Sequence, residues 1–338
     1  MDTQTYLLSL LQSSAQYVLT DLDKTIIANK GLRTYILTKL FSKQYRKWKV
    51  DPHCRLLVEE AVDQALSNNT PVKIFFAQGS YKLWRVASAP EPNWAEFFNI
   101  AYLLSYLAPI AAAYKPGLSL TYYFLTILPE VHNNITTSEV TTYAQSFAAL
   151  LHEFSPYLPK NMQVVLEKDV DTYEREDYIR LLDIAKLSAD KQFYTWPVTK
   201  QEDYFRRARL NIKWSGKQDL TSLTEVEQQR FMDRAVLYEY AATQDILMKD
   251  KQSRGVILST FSREDSIGIG STSTSVVKHW VGVGVLERGQ TGYHTRILSP
   301  VQYEEAHHIE SDIVSVQVIS GRQYKTIEVY PHHFDFSR

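Results

Sequence analysis

Two aspartates near the start of the chain have the type and spacing that phosphoryl transfer requires. In YVLTDLDKTII, residues 17–27, Asp21, Asp23 and Thr25 form a D-x-D-x-T pattern. In such a pattern the first carboxylate can attack phosphorus, and the second can act as general acid and base. This chemistry needs the first aspartate at the end of a buried strand. It also needs a lysine, a Ser or Thr and a second acidic pair later in the chain.

The flanking sequence favours a different interpretation of this motif. The leucines at 7, 8, 10 and 11 have helical spacing, so only residues 17–19 could form the required strand. The acidic stretch EKDVDTYERED, residues 167–177, lacks the glycine-containing turn that would present a second acidic pair. We therefore predict a helix-capping turn here. A haloacid-dehalogenase-like phosphatase that uses Asp21 and Asp23 is kept as an alternative.

A second set of charged residues follows the first convincing strand, PVKIFFA at 71–77. Lys82 and Arg85 lie in the loop after this strand, and Glu96 opens a long helix. Loops at the carboxyl ends of strands form the ligand crevice of an α/β sheet. Lys82 and Glu96 are therefore candidate catalytic residues, and Arg85 is a candidate substrate-binding residue. The alternatives are that Glu96 caps its helix together with Asn93, and that both cations are solvated surface charges.

Two further segments carry candidate anion-binding residues. In RLNIKW, strand alternation places Arg209 and Lys213 on one face, although a solvated edge strand explains the pattern equally well. In IGIGSTSTSVVKHW, Gly268, Gly270, Ser271 and Thr272 precede a segment that could form a helix. These residues could provide a backbone nest for a phosphate, and a plain helix N-cap is the alternative.

Several short motifs follow one another in a fixed order between about residues 60 and 290. They are Phe75-Phe76, Lys82, Pro92 to Glu96, Tyr114 to Gly117, Leu258-Ser259 and Trp280. This order resembles the isonitrile synthases of pyoverdine-type gene clusters and the fungal dityrosine-biosynthesis enzyme. In that family Asn93 is an aspartate, and Thr260-Phe261 is a His-Pro pair.

The resemblance implies that the amine of tyrosine or tryptophan condenses with the ketone of ribulose 5-phosphate, and that one sugar carbon is kept as the isonitrile. Such a site holds a carboxylate, a phosphate and an amine that loses a proton. The resemblance carries over Lys82 and Glu96 and implies no metal and no redox cofactor. Ser259, in the matching strand, and Lys278, beside a polar loop, complete the candidate substrate-binding residues. We therefore expect an isonitrile-synthase-like, carbon-transferring enzyme of specialised-metabolite biosynthesis that acts on an amino acid and a sugar phosphate.

Strands and helices alternate along the part of the chain that must position these residues. This order predicts an α/β fold, with a Rossmann-like, mostly parallel sheet flanked by helices. Strands are predicted near 71–77, 118–123, 163–167 and 256–260, and helices near 94–114 and 137–154. Capping boxes are predicted at Asn93–Glu96, Thr136–Glu139 and Ser222–Glu225.

The domain organisation predicted from the same patterns has three parts. They are a helical N-terminal region at 1–60, an α/β core at 61–250 and a smaller β-rich region at 251–338. Two hairpins with glycine-containing turns are expected in the last region.

Composition narrows the function classes. The 338-residue chain has a net charge of −1, so we expect no nucleic-acid partner. A single cysteine, Cys54, excludes a disulfide framework. The longest nearly apolar run, residues 100–114, contains Pro109 and is shorter than the roughly 20 residues of a membrane span. A cytoplasmic enzyme with small-molecule substrates and no membrane partner is the expected class.

Residues 271–299 also fit the recognition helix and wing of a winged-helix module. Lys278, Arg288 and Arg296 are too few to form a convincing basic groove face. A winged-helix-containing binding protein is therefore kept only as a further alternative.

Overall fold

The structure is a computed structural model that describes most of the chain. The described residues are 1–83, 86–133, 135–171, 174–199, 201–202, 205–206, 223–230, 233, 255–260, 264–272, 278–317 and 325–332. The helices are α1 (Thr3–Ser13), α2 (Asp21–Leu40), α3 (Pro52–Asn68), α4 (Trp94–Ala113), α5 (Ile127–Asn133), α6 (Thr137–Phe154), α7 (Arg175–Phe193) and α8 (Pro300–Ala306). The strands are β1 (Val72–Gly79), β2 (Leu118–Leu125), β3 (Met162–Lys168), β4 (Val256–Ser259), β5 (Ile267–Gly268), β6 (Val283–Arg288), β7 (Tyr293–Leu298), β8 (Asp312–Ser315) and β9 (Thr326–Tyr330).

The D-x-D-x-T motif lies at the start of α2. Thr20 is the N-cap, and its hydroxyl accepts from the backbone N–H of Asp23 at 3.1 Å. The Asp23 carboxylate accepts in return from the backbone N–H of Thr20 at 2.9 Å, which completes a capping box. Residues 17–19 form no strand, and the side chain of Asp21 is fully exposed. The helix-capping prediction is confirmed. The phosphatase alternative is wrong, because Asp21 does not end a buried strand.

The main sheet has five parallel strands in the order β3-β2-β1-β4-β5. All four predicted strands are present, so the predicted α/β class is confirmed. Alternating side chains of β1 separate the two faces: Ile74 and Phe76 join the core beneath α4 and α6, whereas Phe75 packs with Tyr178 of α7.

Helix α4 is the central helix of this core. By length and composition it could cross a membrane, but 83% of its apolar window is buried inside the fold, as in the core helix of a packed domain. The predicted boxes at Asn93–Glu96 and Thr136–Glu139 cap α4 and α6. The capping box predicted at Ser222–Glu225 was wrong by two residues, because Thr224 and Glu227 exchange the capping hydrogen bonds.

A second sheet of four strands, in the order β7-β6-β9-β8, forms the C-terminal part of the chain. The antiparallel pair β6–β7 confirms the first predicted hairpin. The pair β8–β9 forms the second, but β8 starts three residues before the predicted segment 315–330. The sequence did not predict the parallel contact of β6 with β9, which joins them into one sheet. Strands β4 and β5 lie beyond residue 250 and still belong to the main sheet. The three-part domain division stays a prediction.

The small sheet is fastened to the first turn of α4. The Asn93 side chain donates to the carbonyl of Gly282 at 3.2 Å, and its oxygen accepts from Gly284 N–H at 3.3 Å. The Trp94 indole donates to the carbonyl of Thr326 at 2.7 Å. The hairpin that a winged-helix module would use as its wing therefore packs on α4. Of the segment proposed as recognition helix, residues 273–277 lie outside the described residues, and His279–Val281 is a 3-10 turn.

Gly284 provides a test of this junction. A Cβ added at Gly284 would lie 2.2 Å from the backbone of Trp94 and Ala95, where no flexible side chain can move aside. We expect Gly284→Ala to lower the free energy of unfolding by about 3 kcal/mol, at the upper end for overpacking. Gly292→Ala is the matched control in the same sheet's hairpin turn, since no atom lies within 4 Å of its Cβ position. Equal urea midpoints for the two variants would contradict the close approach of β6 to α4.

Candidate functional site

The candidate site lies where the order of the main sheet reverses direction. The chain runs outward from β1 to β2 and β3, and then returns to the other side of β1 with β4 and β5. Ligands of open α/β sheets bind outside the carboxyl ends of the strands at such a switch point. Three elements meet at the carboxyl end of β1: the loop that carries Lys82, the first turn of α4 and the turn at His279–Val281.

Lys82 and Glu96 form a fully buried ion pair. The Lys82 Nζ lies 2.6 Å from Glu96 Oε1, and neither side chain is exposed to solvent. The Lys82 ammonium also donates to the backbone carbonyl of His279 at 3.2 Å. The alternative that Lys82 is a solvated surface charge is therefore wrong. The expectation that Lys82 and Glu96 approach one crevice at the strand ends agrees with this geometry, and their catalytic roles stay a prediction.

Glu96 pairs with Lys82 and caps its helix at the same time. Its Oε2 accepts from the backbone N–H of Asn93 at 2.8 Å, as the capping box requires. Its Oε1, already paired with Lys82, also accepts from the Tyr143 hydroxyl at 3.0 Å. Three donors thus converge on this carboxylate inside the protein.

Gln78 connects this carboxylate to a buried imidazole. The Gln78 amide N–H donates to the Tyr143 hydroxyl at 2.8 Å, and its oxygen lies 2.9 Å from His279 Nε2. Because an amide oxygen only accepts, Nε2 carries the hydrogen in this arrangement, and Nδ1 of the neutral ring carries none. The ring also stacks on Phe76, with centroids 5.6 Å apart.

Burial shifts the protonation equilibria of the two basic groups. It lowers the pKa of the Lys82 ammonium, although the Glu96 carboxylate acts in the opposite direction. Burial, reinforced by the Lys82 charge, also holds the pKa of His279 well below its usual 6.5. The site therefore keeps a neutral imidazole beside a lysine that loses its proton more readily than a solvated lysine does.

Comparisons with known proteins establish the fold of this site but no family. No family model matches the chain, and no curated protein matches it. The solved structure of the PvcA protein from Pseudomonas aeruginosa is similar, with a TM-score of 0.66, 14% identity, and coverage of 89% of this chain and 100% of PvcA. The chain shares the PvcA fold. A tryptophanyl-tRNA synthetase homolog from Entamoeba histolytica has a TM-score of 0.28 and 11% identity, over 74% of this chain and 57% of the homolog. This likeness is too weak to support an argument.

The remaining predicted residues fall into two groups. Arg85, Arg209 and Lys213 lie outside the described residues. Ser259 ends β4, and Ser271 is buried, with its carbonyl accepting from the Asn99 side chain at 3.2 Å.

The described part of the chain contains no group of three His, Cys, Asp or Glu side chains that could hold a metal ion.

Lys278 and the predicted phosphate nest lie close to the site. The Lys278 Nζ lies 5.7 Å from the Trp280 ring centroid, next to His279. Gly268 is the last residue of β5, beside Ser259 of β4. The predicted anion-binding roles of these residues stay predictions.

Sequence reasoning missed Gln78, Tyr143 and His279. One signal for Gln78 was available, since the inward-facing alternation Ile74, Phe76, Gln78 puts an amide on the core face, where it must find a partner. Tyr143 is one of 22 tyrosines, and His279 lies 201 residues from its partner Gln78. Neither carries a local signal.

A groove of about 270 Å³ lies along the same edge of the sheet, between α5, α6 and the end of β3. Its lining includes the apolar Val140, Ala144 and Leu166, with Glu130 and Lys168 also contributing. Both charges are already paired, with Arg175 and Asp171 respectively. None of the described lining residues belongs to the Lys82 network.

The buried pair should show strong energetic coupling. We expect Lys82→Met to lower the free energy of unfolding by about 3–5 kcal/mol, because Glu96 then lacks its counter-charge. The double variant Lys82→Met/Glu96→Gln should recover much of that loss, since no unpaired charge stays buried. The matched control is the exposed pair of Arg33 and Asp63, also 2.6 Å apart, where coupling of at most about 1 kcal/mol is expected. Urea unfolding measures both cycles, and additive losses at Lys82 and Glu96 would contradict a coupled pair.

The depressed pKa of His279 predicts a pH dependence of stability. Below its usual pKa of 6.5 the unfolded state binds a proton at this ring that the folded state does not. The free energy of unfolding should therefore fall as the pH drops from about 7.5 to about 5.5, by up to about 1.4 kcal/mol per pH unit. His279→Gln should remove this contribution and leave that of the other histidines. Equal slopes for the variant and the wild type would show that His279 titrates normally.

Proposed function

We propose that the chain is an isonitrile-synthase-like enzyme that condenses the amine of an aromatic amino acid with the ketone of a sugar phosphate. The observation that carries this proposal is the buried ion pair of Lys82 and Glu96 at the carboxyl end of β1. These are the two positions that the sequence resemblance to isonitrile synthases carries over. The fold shared with PvcA supports the same assignment.

The chemistry of the condensation matches what this pair can supply. The attacking amine must lose a proton, and the ketone oxygen must gain one as the carbon–nitrogen bond forms. A carboxylate can accept the first proton, and a lysine whose pKa is lowered can donate the second. In our proposal Glu96 and Lys82 take these two roles, and the substrates are small molecules of a specialised-metabolite pathway in the cytoplasm.

Product analysis tests this proposal. The protein is incubated with L-tyrosine or L-tryptophan and ribulose 5-phosphate labelled with carbon-13, and the products are analysed by mass spectrometry. We expect an isonitrile that has gained one labelled carbon from the sugar. Lys82→Met/Glu96→Gln should lower turnover by at least about a hundredfold, because general acid and base catalysis contributes that much.

The matched control for this experiment is Lys73→Met, which changes an exposed lysine of β1 and should leave turnover unchanged. Absence of the labelled isonitrile with both amino acids would reject the proposed reaction. Wild-type turnover in the folded double variant would reject the roles of Lys82 and Glu96.

A further inference from the structure

Two adjacent aromatic side chains at the candidate site hold buried polar atoms without partners. His279 and Trp280 lie in the turn at His279–Val281, with ring centroids 5.1 Å apart and planes nearly perpendicular. His279 Nδ1 and Trp280 Nε1 are both buried, and neither makes a hydrogen bond within the structure as described. Native proteins pair most buried polar atoms, so two neighbouring unpaired atoms require an explanation.

The chemistry of the two atoms defines the group that fits them. Nδ1 is an acceptor, because Nε2 carries the ring hydrogen toward Gln78. The indole Nε1 of Trp280 is a donor only. A carboxylate or a phosphate dianion has no hydrogen for Nδ1, and an ammonium has no lone pair for Nε1. A hydroxyl has both.

We propose that His279 and Trp280 form a binding site for a hydroxyl group of the substrate. This inference rests on the proposed function, in which the hydroxyl belongs to the sugar phosphate.

The surroundings place this hydroxyl site beside the ion pair. Lys82 donates to the carbonyl of His279 at 3.2 Å, which connects the turn to the ion pair. Thr260, whose hydroxyl is also buried and unpaired, follows β4 on the other side of the switch point. Because Phe76 pairs with Leu258, Gln78 and Thr260 lie at the same level of the sheet. Unpaired polar atoms thus occur after β4 as well as in the turn beside β1.

The low pKa of His279 keeps this acceptor available. Burial and the nearby Lys82 charge hold the ring neutral at ordinary pH, so Nδ1 keeps its lone pair. Glu96 and Tyr143 are the other titratable groups of the network. They are hydrogen-bonded to each other, and Gln78 lies between them and the His279 ring.

Paired variants separate the two ring nitrogens. In His279→Asn the amide oxygen can replace the Nδ1 acceptor, whereas His279→Gln places its amide nearer the Nε2 position and leaves no acceptor at Nδ1. We expect His279→Gln and Trp280→Phe each to weaken the binding of ribulose 5-phosphate about ten- to a hundredfold, and His279→Asn to weaken it less than about fivefold. Isothermal titration calorimetry measures the dissociation constants, and thermal unfolding confirms that each variant is folded.

Each outcome decides either the hydroxyl site or the proposed reaction. Wild-type affinity in both His279→Gln and Trp280→Phe would overturn the site and indicate that only water occupies it. Unchanged affinity with turnover lost equally in His279→Asn and His279→Gln would overturn it in favour of a proton-transfer role for the ring.

The same measurements distinguish the two proposals. Affinity that depends on His279 and Trp280, without any isonitrile product, supports the hydroxyl site and rejects the condensation. Formation of the isonitrile, with unaltered affinity in the variants, supports the condensation and rejects the hydroxyl site. A wild type that does not bind ribulose 5-phosphate overturns both.

Discussion

The arrangement of the site depends on one interaction, the buried ion pair of Lys82 and Glu96. Removing an ammonium and a carboxylate from water costs several kcal/mol per ion, and close contact offsets this only when the remaining hydrogen bonds are also made. Here Tyr143, Asn93 and the carbonyl of His279 make them. The loop after β1, the first turn of α4 and the turn at His279–Val281 therefore hold one another in place. Displacing any one of them leaves a buried charge without a partner.

This constraint makes the C-terminal region part of the site. Lys82 needs the carbonyl of His279, which directly precedes the small sheet. Asn93, the N-cap of the helix that presents Glu96, holds Gly282 and Gly284 at the start of that sheet. A displacement of β6 would disturb the helix cap and the ion pair at once. The small sheet thus fixes the geometry of a crevice formed by the large one.

Local patterns predicted the fold better than the site. The strands β1 to β4 and the helices α4 and α6 carry apolar runs and capping signals that act within a few residues. The same local chemistry accounts for Asp23 of the misleading aspartate motif, because Asp23 forms the capping box of α2 with Thr20. Lys82 and Glu96 were found by their order in the chain, but Tyr143 and His279 lie 65 and 201 residues from Gln78, a separation that no sequence period records.

A buried ion pair is weak evidence for stability, because apolar side chains of similar volume often serve a core as well or better. The pair lies at the carboxyl end of β1, and it ends a chain of side-chain hydrogen bonds. The hydrogen bonds have a direction: His279 donates to Gln78, Gln78 to Tyr143, and Tyr143 to Glu96. One end of this chain is a carboxylate paired with a lysine, and the other is an unpaired acceptor at Nδ1. The unpaired acceptor lies at the carboxyl end of β1, beside the point where the order of the parallel sheet reverses.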